Sequence, residues 1–405
     1  MAPRLAEKID LPPFLFVLLA ATGISVAHAG EWSGDAQLDT RIFFADPLEP
    51  EQHGDIVSAA FEPDYYHDWD DGNQRFEFTL FGRWDSGDPE RTHADIRELY
   101  WRKTFEFFPA DLYVGLRKVF WGVAESNHLV DIINQTDLIE DIDGEAKLGQ
   151  PMISLTWLKD IGTFDFFVMP YFRERTFPGP KGRPRFALVV DTDNPVFQSS
   201  REQEHVDFAV RWSQFLGDFD IGLSYFSGTS RQARFTLGFD SSGTPVLIPH
   251  YDQLQQTGLD LQATKGDWLW KLEAIHRDLS VENSFAWVGG FEYTLVGLAG
   301  SAVDLGLIAE YSRDNTKVLI TGFQDDLALG ARFAFNDTQS TELLAVTAYD
   351  LDTHGVFTSI EGNRRIGDSW KFYVEARLFA NTSNDPLLSN FRNDDFLQLS
   401  IAKFF

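Results

Sequence analysis

The chain has 405 residues, 43% of them hydrophobic and 24% charged, enough for one large domain or two to three ordinary ones and too apolar for a wholly disordered protein. Its 62 acidic against 34 basic side chains leave a formal charge of −28. That argues against a nucleic-acid binder, because affinity for phosphate backbones needs clustered lysine and arginine. The absence of cysteine removes disulfide frameworks, thiolate metal sites and cysteine nucleophiles together, and suits a chain that crosses an oxidising compartment.

At the N-terminus Arg4 and Lys8 precede an apolar run from Phe14 to Ala27 that ends on Ala27-His28-Ala29, the small-residue pattern of a cleaved secretory signal. Residues 1–29 are expected to be a signal peptide, with a single domain over 30–405. Glu7, Asp10 and Pro12-Pro13 are untidy for such a segment and leave an uncleaved anchor as the alternative. Past Ala29 no run of about eighteen apolar residues occurs, which excludes a helical membrane protein.

From there the chain reads in steps of two, the signature of strands with one oily and one ionic face. The stretch from Ile56 to Trp69 alternates poorly and holds Pro63. In "RFEFTLFGRW", Phe76, Phe78 and Leu80 alternate with Arg75, Glu77 and Thr79, whereas Asp95 to Phe105 alternates only if it carries a bulge. "HVDFAVRW" opposes Val206, Phe208, Val210 and Trp212 to Asp207 and Arg211; "SWKFYVEARLFA" opposes Trp370, Phe372, Val374, Ala376 and Leu378 to Lys371, Tyr373, Glu375 and Arg377. Such segments run to about ten residues or more, longer than the five or six usual in a soluble sandwich and matching a tilted, bilayer-crossing strand.

Tight turns are expected near Asp70 to Gly72, Phe107 to Ala110, Asp160 to Gly162, Leu216-Gly217, Lys265-Gly266, Val296 to Ser301, Asn336 to Ser340 and Gly367-Asp368. The intervening links include Trp121 to Gln150, Glu174 to Glu202 and Thr229 to Asp252, too long for ordinary hairpins. Short turns on one side, long loops on the other and an even strand number define a transmembrane antiparallel β-barrel of about 18 strands, with 16 as the alternative count. Both termini then lie on the short-turn, periplasmic side. Closure at that size leaves a lumen that side chains alone do not fill. Trp84, Trp101, Trp157, Trp212, Trp268 and Trp370, near strand ends, fit interfacial girdles.

The last strand, "DFLQLSIAKFF", places Leu397, Leu399, Ile401 and terminal Phe405 on the lipid face. A chain ending on Phe405 resembles the C-terminal signal by which Gram-negative outer-membrane proteins are handed to the barrel-assembly machinery, although Lys403 stands where an aromatic is usual. The whole mature chain resembles porin-like outer-membrane barrels, with specific porins and alginate-export barrels as the nearest comparisons. The resemblance implies a cell outer-membrane location and a channel. Outer-membrane lipid and lipopolysaccharide are the expected surroundings, a small hydrophilic solute the expected cargo, and a homotrimer is compatible with the pattern. It also implies that the third outer loop folds into the lumen and narrows it.

That loop is Trp121 to Gln150. Leu129, Val130, Ile132, Ile133, Leu138, Ile139 and Ile142 are too apolar for a loop in water and are expected to pack on the wall. Glu125, Asp131, Asp137, Glu140, Asp141, Asp143 and Glu145 are then left to line the hole. Arg75, Arg83, Arg102, Arg117, Arg173 and Arg211 are expected on inward faces opposite them, with Asp260, Glu292, Asp304 and Glu310 on later strands. Charges facing each other across confined water favour polar solutes, anions among them. A basic stretch, Arg173, Arg175, Lys181, Arg183 and Arg185, offers a second attraction for anions or lipopolysaccharide phosphates.

An enzyme is not expected. "DLIEDIDGE" lacks calcium-loop spacing, "YYHDWDDG" sits at a strand end and turn, and His205, His250, His276 and His354 share no spacing. No catalytic group, cofactor or metal site is assigned. A polysaccharide exporter is the alternative function, followed by a barrel enzyme or adhesin.

Overall fold

The computed structural model describes residues 30–405, so the expected signal segment lies outside the described residues. Strands β1 (Glu31–Phe43), β2 (Asp55–Trp69), β3 (Gln74–Asp85), β4 (His93–Phe105), β5 (Ala110–Arg117), β6 (Gln150–Lys159) and β7 (Gly162–Met169) form the first part of the wall. After the short β8 (Val196–Phe197) come β9 (Asp207–Leu216) and β10 (Phe219–Thr229), then a hairpin of β11 (Arg234–Phe239) and β12 (Pro245–Tyr251). The wall continues through β13 (Gln253–Lys265), β14 (Trp268–Leu279), β15 (Glu282–Leu295), β16 (Asp304–Asp314), β17 (Asp325–Ala334), β18 (Glu342–Asp350), β19 (Val356–Ile366), β20 (Trp370–Ala380) and β21 (Phe396–Phe404).

Eighteen of these strands make one antiparallel sheet in which each pairs with the next barrel strand in the chain. β21 returns to pair with β1, Leu38 opposite Ile401, so the sheet is a closed barrel. All eight expected tight turns are connections at one end of this barrel, and the start of β1 and the end of β21 lie there with them. The two-residue connection at Gly266-Asp267 shows why: Gly266 has φ +62°, a turn conformation that a Cβ would strain. The three remaining strands form a separate small sheet, β12 antiparallel to β11 and parallel to β8, built within the two long links where the sequence reading expected only loop.

The alternation turns the usual protein inside out. Leu38, Ile153, Phe166, Phe208, Leu223 and Leu329 are exposed on the outer face, whereas Asp39, Arg97, Asp260, Glu273, Arg277 and Arg377 are buried on the inner one. Pro63 of β2 faces Gly34 of β1 and drops out of the β2–β3 register, which passes from Phe61–Gly82 to Asp64–Thr79. Opposite this break β4 carries the expected bulge: Thr79 pairs with Glu98 and Leu80 with Ile96, skipping Arg97. Two successive side chains therefore point inward. Arg97 reaches Asp137, and Glu98 Oε1 accepts the Lys118 N–H at 3.0 Å.

Deleting Arg97 removes the bulge and leaves Asp95 and Glu98 inward and Ile96 and Leu99 outward, so the barrel is expected to fold, as is that of Arg97→Ala, with the loss of the ion pairs to Asp95 and Asp137. Deleting Ile96 instead puts Arg97 opposite Leu80 on the lipid face and is expected to lower the folded fraction sharply. The folded fraction, read from the gel mobility of unheated refolded protein, distinguishes the two deletions.

Candidate functional site

Link 118–149, between β5 and β6, does not project away from the barrel. Its Trp121, Val130, Ile132 and Ile133 pack on inward side chains of β6, β7, β9, β10, β13, β14 and β15, among them Met152, Phe167, Met169, Phe226, Leu254, Ile275 and Leu279. Val130 and Ile133 are wholly buried. Each such side chain contributes about 1.5–3 kcal/mol, against about 1–2 kcal/mol for ordering each residue of the link. Apolar burial alone cannot hold it in place.

Two wall carboxylates supply much of the rest. Glu273 of β14 accepts the N–H groups of Val123 (2.7 Å), Ala124 (2.9 Å) and Val130 (3.1 Å). Glu310 of β16 accepts those of Glu125 and Ser126, both at 2.8 Å, and the Ser126 hydroxyl at 2.7 Å. Hydrogen bonds to a charged acceptor are roughly twice as strong as neutral ones. Asn134 joins the two limbs of the link: its Oδ1 accepts Val119 N–H at 2.7 Å and its amide donates to the Arg117 and Leu148 carbonyls at 2.9 and 2.8 Å.

The acidic side chains then meet wall cations in a repeated arrangement, a link carboxylate added to the wall carboxylates of each arginine, one for Arg83, Arg97 and Arg332 and two, Glu361 and Glu375, for Arg377. Arg83 lies 2.5 Å from Asp39 and 2.8 Å from Glu140. Arg97 lies 3.3 Å from Asp95 and 2.7 Å from Asp137, which is wholly buried and also accepts the Thr176 hydroxyl at 2.6 Å. Arg332 lies 3.4 Å from Glu292 and 2.6 Å from Glu125, while Lys271 approaches Glu125 at 3.3 Å. Arg377 lies 2.9 Å from Glu361 and 2.8 Å from Asp143. These contacts, on strands from β3 round to β20, are all reachable only from inside the barrel.

Of the arginines expected opposite the acids, Arg83 alone bonds one of them directly. Arg173 pairs with Asp95 at 2.7 Å and Arg211 with Asp260 at 2.5 Å. Arg117 lies 3.7 Å over the Tyr113 ring, Arg75 pairs with Asp68 at 2.7 Å, and Arg102 donates to the Gly72 carbonyl at 3.1 Å, the last two toward the short-turn end. Two acids find partners within the link itself, Asp131 with Lys147 at 2.9 Å and Glu145 with His128 at 3.0 Å. The sequence reading missed Arg97, Arg332, Arg377, Lys271 and Glu273. Arg377 sat at an ionic position of a strand already recognised; Arg97 was hidden by the bulge.

In the basic stretch, Arg183 is buried, bonded to Asp394 at 2.7 Å and stacked 4.0 Å over Phe43. Arg185 is buried too and donates to the carbonyls of Pro180, Phe186 and Ala187. Both guanidinium groups are thus engaged by the protein, leaving Lys181 as the exposed end of the segment. Arg175, whose Nε bonds Gln135 at 3.1 Å, is held down to about 10 by burial without a carboxylate partner.

Beside the link an open cavity of about 680 Å³ lies against β13, β14 and β17–β20. Glu125, Asp131, Asp143, Glu145, Lys147, Arg277, Arg332 and Glu361 are among its lining. Within the link, burial and the neighbouring Asp141 charge push the Asp143 carboxyl up to about 7. Burial acts the same way on Asp141, but Arg377 and Arg41 hold it below the usual carboxylate range. Burial works against a charged His128, yet the Glu145 hydrogen bond and charge raise it, and the same bond lowers Glu145. The four histidines share no site: His205 bonds Asp207, His250 bonds Thr236, His354 bonds Tyr349, and His276 is exposed on the outer face.

The double variant Glu273→Ala, Glu310→Ala is expected to free the first limb of the link while the barrel stays folded. Amide exchange at 122–130 should rise at least about tenfold, since each lost charged acceptor is worth about 1.5–3 kcal/mol. Unchanged exchange would show that the apolar contacts suffice.

No family model matches the chain, and no characterised protein sequence matches it. Solved structures do. A BenF-like porin from Pseudomonas fluorescens Pf-5 aligns over 93% of this chain and 97% of its own, with a TM-score of 0.55 at 10% identity. OprB of Pseudomonas putida aligns over 93% and 94% with a TM-score of 0.48 at 10% identity. A mutant of the Rh. blastica porin aligns over 93% and 100% with a TM-score of 0.46 at 13% identity. With the eighteen-strand closed barrel, the likeness to the BenF-like porin shows that the chain has a porin-like fold.

Proposed function

We propose that this protein is an outer-membrane channel for the diffusion of small hydrophilic solutes, narrowed by link 118–149. The observation that carries the proposal is an open cavity lying beside a link docked inside a barrel whose outer face is apolar. A barrel leaves no backbone group unpaired in lipid, so it can span where an open sheet cannot. On this reading residues 1–29 are a cleaved signal, the short turns and both termini are periplasmic, and the long links face lipopolysaccharide. Phe405, stacked on Phe61 at 5.8 Å on the outer face, is the residue offered to the barrel-assembly machinery. A homotrimer is the assembly this reading allows; native mass measurement in detergent separates it from a monomer.

The charge preference turns on which groups remain unpaired. Arg175 supports the passage of anions. Most other lumen arginines lie within 4 Å of a carboxylate, which gives less support to anions and less still to export of a polyanionic polysaccharide. No histidine–carboxylate–nucleophile set supports catalysis among the described residues.

Planar-bilayer recording of refolded protein tests the channel. Ohmic conductance is expected and should increase on deleting Val130 to Glu145; no conductance in either protein sinks the proposal. The same recording in a KCl gradient reads selectivity, and a clear anion preference would favour the exporter.

Asp143 makes selectivity depend on pH. As pH falls from 8 to 6 its carboxyl, poised at about 7, takes up a proton and one lumen anion is lost. The cation-to-anion permeability ratio is expected to fall over that range in the wild type and to fall less in Asp143→Asn.

A further inference from the structure

The inner wall carries apolar side chains in several places. One, on β6 to β15, is covered by link 118–149. Another, Phe43, Ile56 and Phe396, is buried under Arg41 and Arg183. A further strip begins on β18, whose inward positions between Glu342 and Asp350 are Leu344, Val346 and Ala348, and continues to Phe357 of β19. All four line the open cavity, and Leu344, Val346 and Phe357 are only half-buried. An inward strand position in a water-filled barrel is ordinarily polar, so uncovered apolar surface there needs a partner.

At the long-link end of this strip stand Asp326, Asp350 and Asp385, which line the same cavity. Among other buried carboxylates of the barrel, Asp39, Asp85, Asp207, Asp260 and Asp314 each hold an arginine, whereas Glu273 and Glu310 hold N–H groups of the link. Among the described residues no lysine, arginine or histidine nitrogen lies within 4 Å of Asp326, Asp350 or Asp385. Asp326 accepts the N–H of Asp325, Asp350 those of Asp352 and Thr353, and Asp385 those of Leu387 and Leu388 with the Thr353 hydroxyl. Backbone donors orient these groups and no cation stands beside them.

An apolar strip ending in three carboxyl groups that lack a cation is complementary to a molecule with the opposite layout, a positive group on a hydrocarbon or aromatic body. The barrel walls and a volume of about 680 Å³ restrict the occupant to a small molecule, in the usual size range of ligand sites. We propose that the lumen selects organic ammonium solutes with an apolar flank, the charge held by Asp326, Asp350 and Asp385 and the flank lying along Leu344, Val346 and Phe357. The inference rests on the channel reading and names the solute class.

Block of KCl current by three probes of similar size tests it: phenethylammonium, phenylacetate with the same ring and the opposite charge, and glucosamine as a polar cation. Phenethylammonium is expected to halve the current at a concentration about tenfold lower than either, the ratio expected when about half of a ring's apolar surface leaves water. Leu344→Asn with Val346→Thr should abolish its advantage over glucosamine. Asp326→Asn with Asp350→Asn should abolish its advantage over phenylacetate. KCl conductance of each variant reports that it has folded, and wild-type rankings stand on their own if a variant does not. Equal block by the three probes, or stronger block by phenylacetate, overturns the inference and leaves the channel standing; absence of any conductance overturns both.

Discussion

Closure of β21 on β1 is the constraint on which everything else depends. Until Leu38 meets Ile401 the sheet has two open edges; afterwards each strand has a neighbour on both sides. Eighteen strands closed in this way enclose more space than their own side chains can fill. The inner face therefore needs either water or another part of the chain, and here both are used. Link 118–149 occupies the side of β6 to β15, and an open cavity occupies the side of β17 to β20.

The electrostatic arrangement follows from burying so many charges on an inner face. An arginine stripped of water is costly unless it is paired, and the wall supplies a first carboxylate in each case: Asp39 for Arg83, Asp95 for Arg97, Glu292 for Arg332, Glu361 for Arg377. The link then adds a second. Because the wall pairs stand without it, docking the link adds attraction without leaving the wall dependent on it. The four contacts are spread over β3, β4, β17 and β20, so they fix the position of the link across the lumen and not merely its attachment. Their charges also explain why the link is acidic: a wall arginine already holding one carboxylate still has donors that a second can use.

Much of the architecture was legible because strand alternation and turn chemistry are local. Asp70 to Gly72 or Gly367-Asp368 declare a turn from a few residues, and two such turns fix the length and register of the strands between them. The inward packing of link 118–149 was legible for a related reason, since Val130 and Ile133 have no place in a water-exposed loop. What could not be read was anything set by contacts between distant segments. Glu273 looks like any inward carboxylate until its three N–H donors arrive from a link about 150 residues earlier. Arg97 belongs to the inner face only because of a bulge, and no local signal says which residue the ladder skips. The small sheet of β8, β11 and β12 forms where two long links meet, and its β8 is two residues long, too short to leave a periodic pattern.

The position of the open passage is itself a consequence of where the wall is oily. Inward Met152, Phe167, Met169, Phe226, Ile275 and Leu279 make one side of the lumen a poor surface for water, and the apolar part of the link settles there. Glu273 and Glu310 lie on the same side, so hydrophobic packing and hydrogen bonding favour one location. The second limb then has to cross toward Arg83 and Arg97 to reach β6, carrying Asp137 and Glu140 with it. What remains open is the arc between the link's contacts on β17 and β20, with β18 and β19 as its wall. A barrel with the same link but its apolar patch on β18 would have the passage elsewhere. The inner alternation of strands far from the link thus decides which charges a solute would meet, and it places Asp143, Glu361 and Arg332 beside the passage while Asp137 is shut away from it.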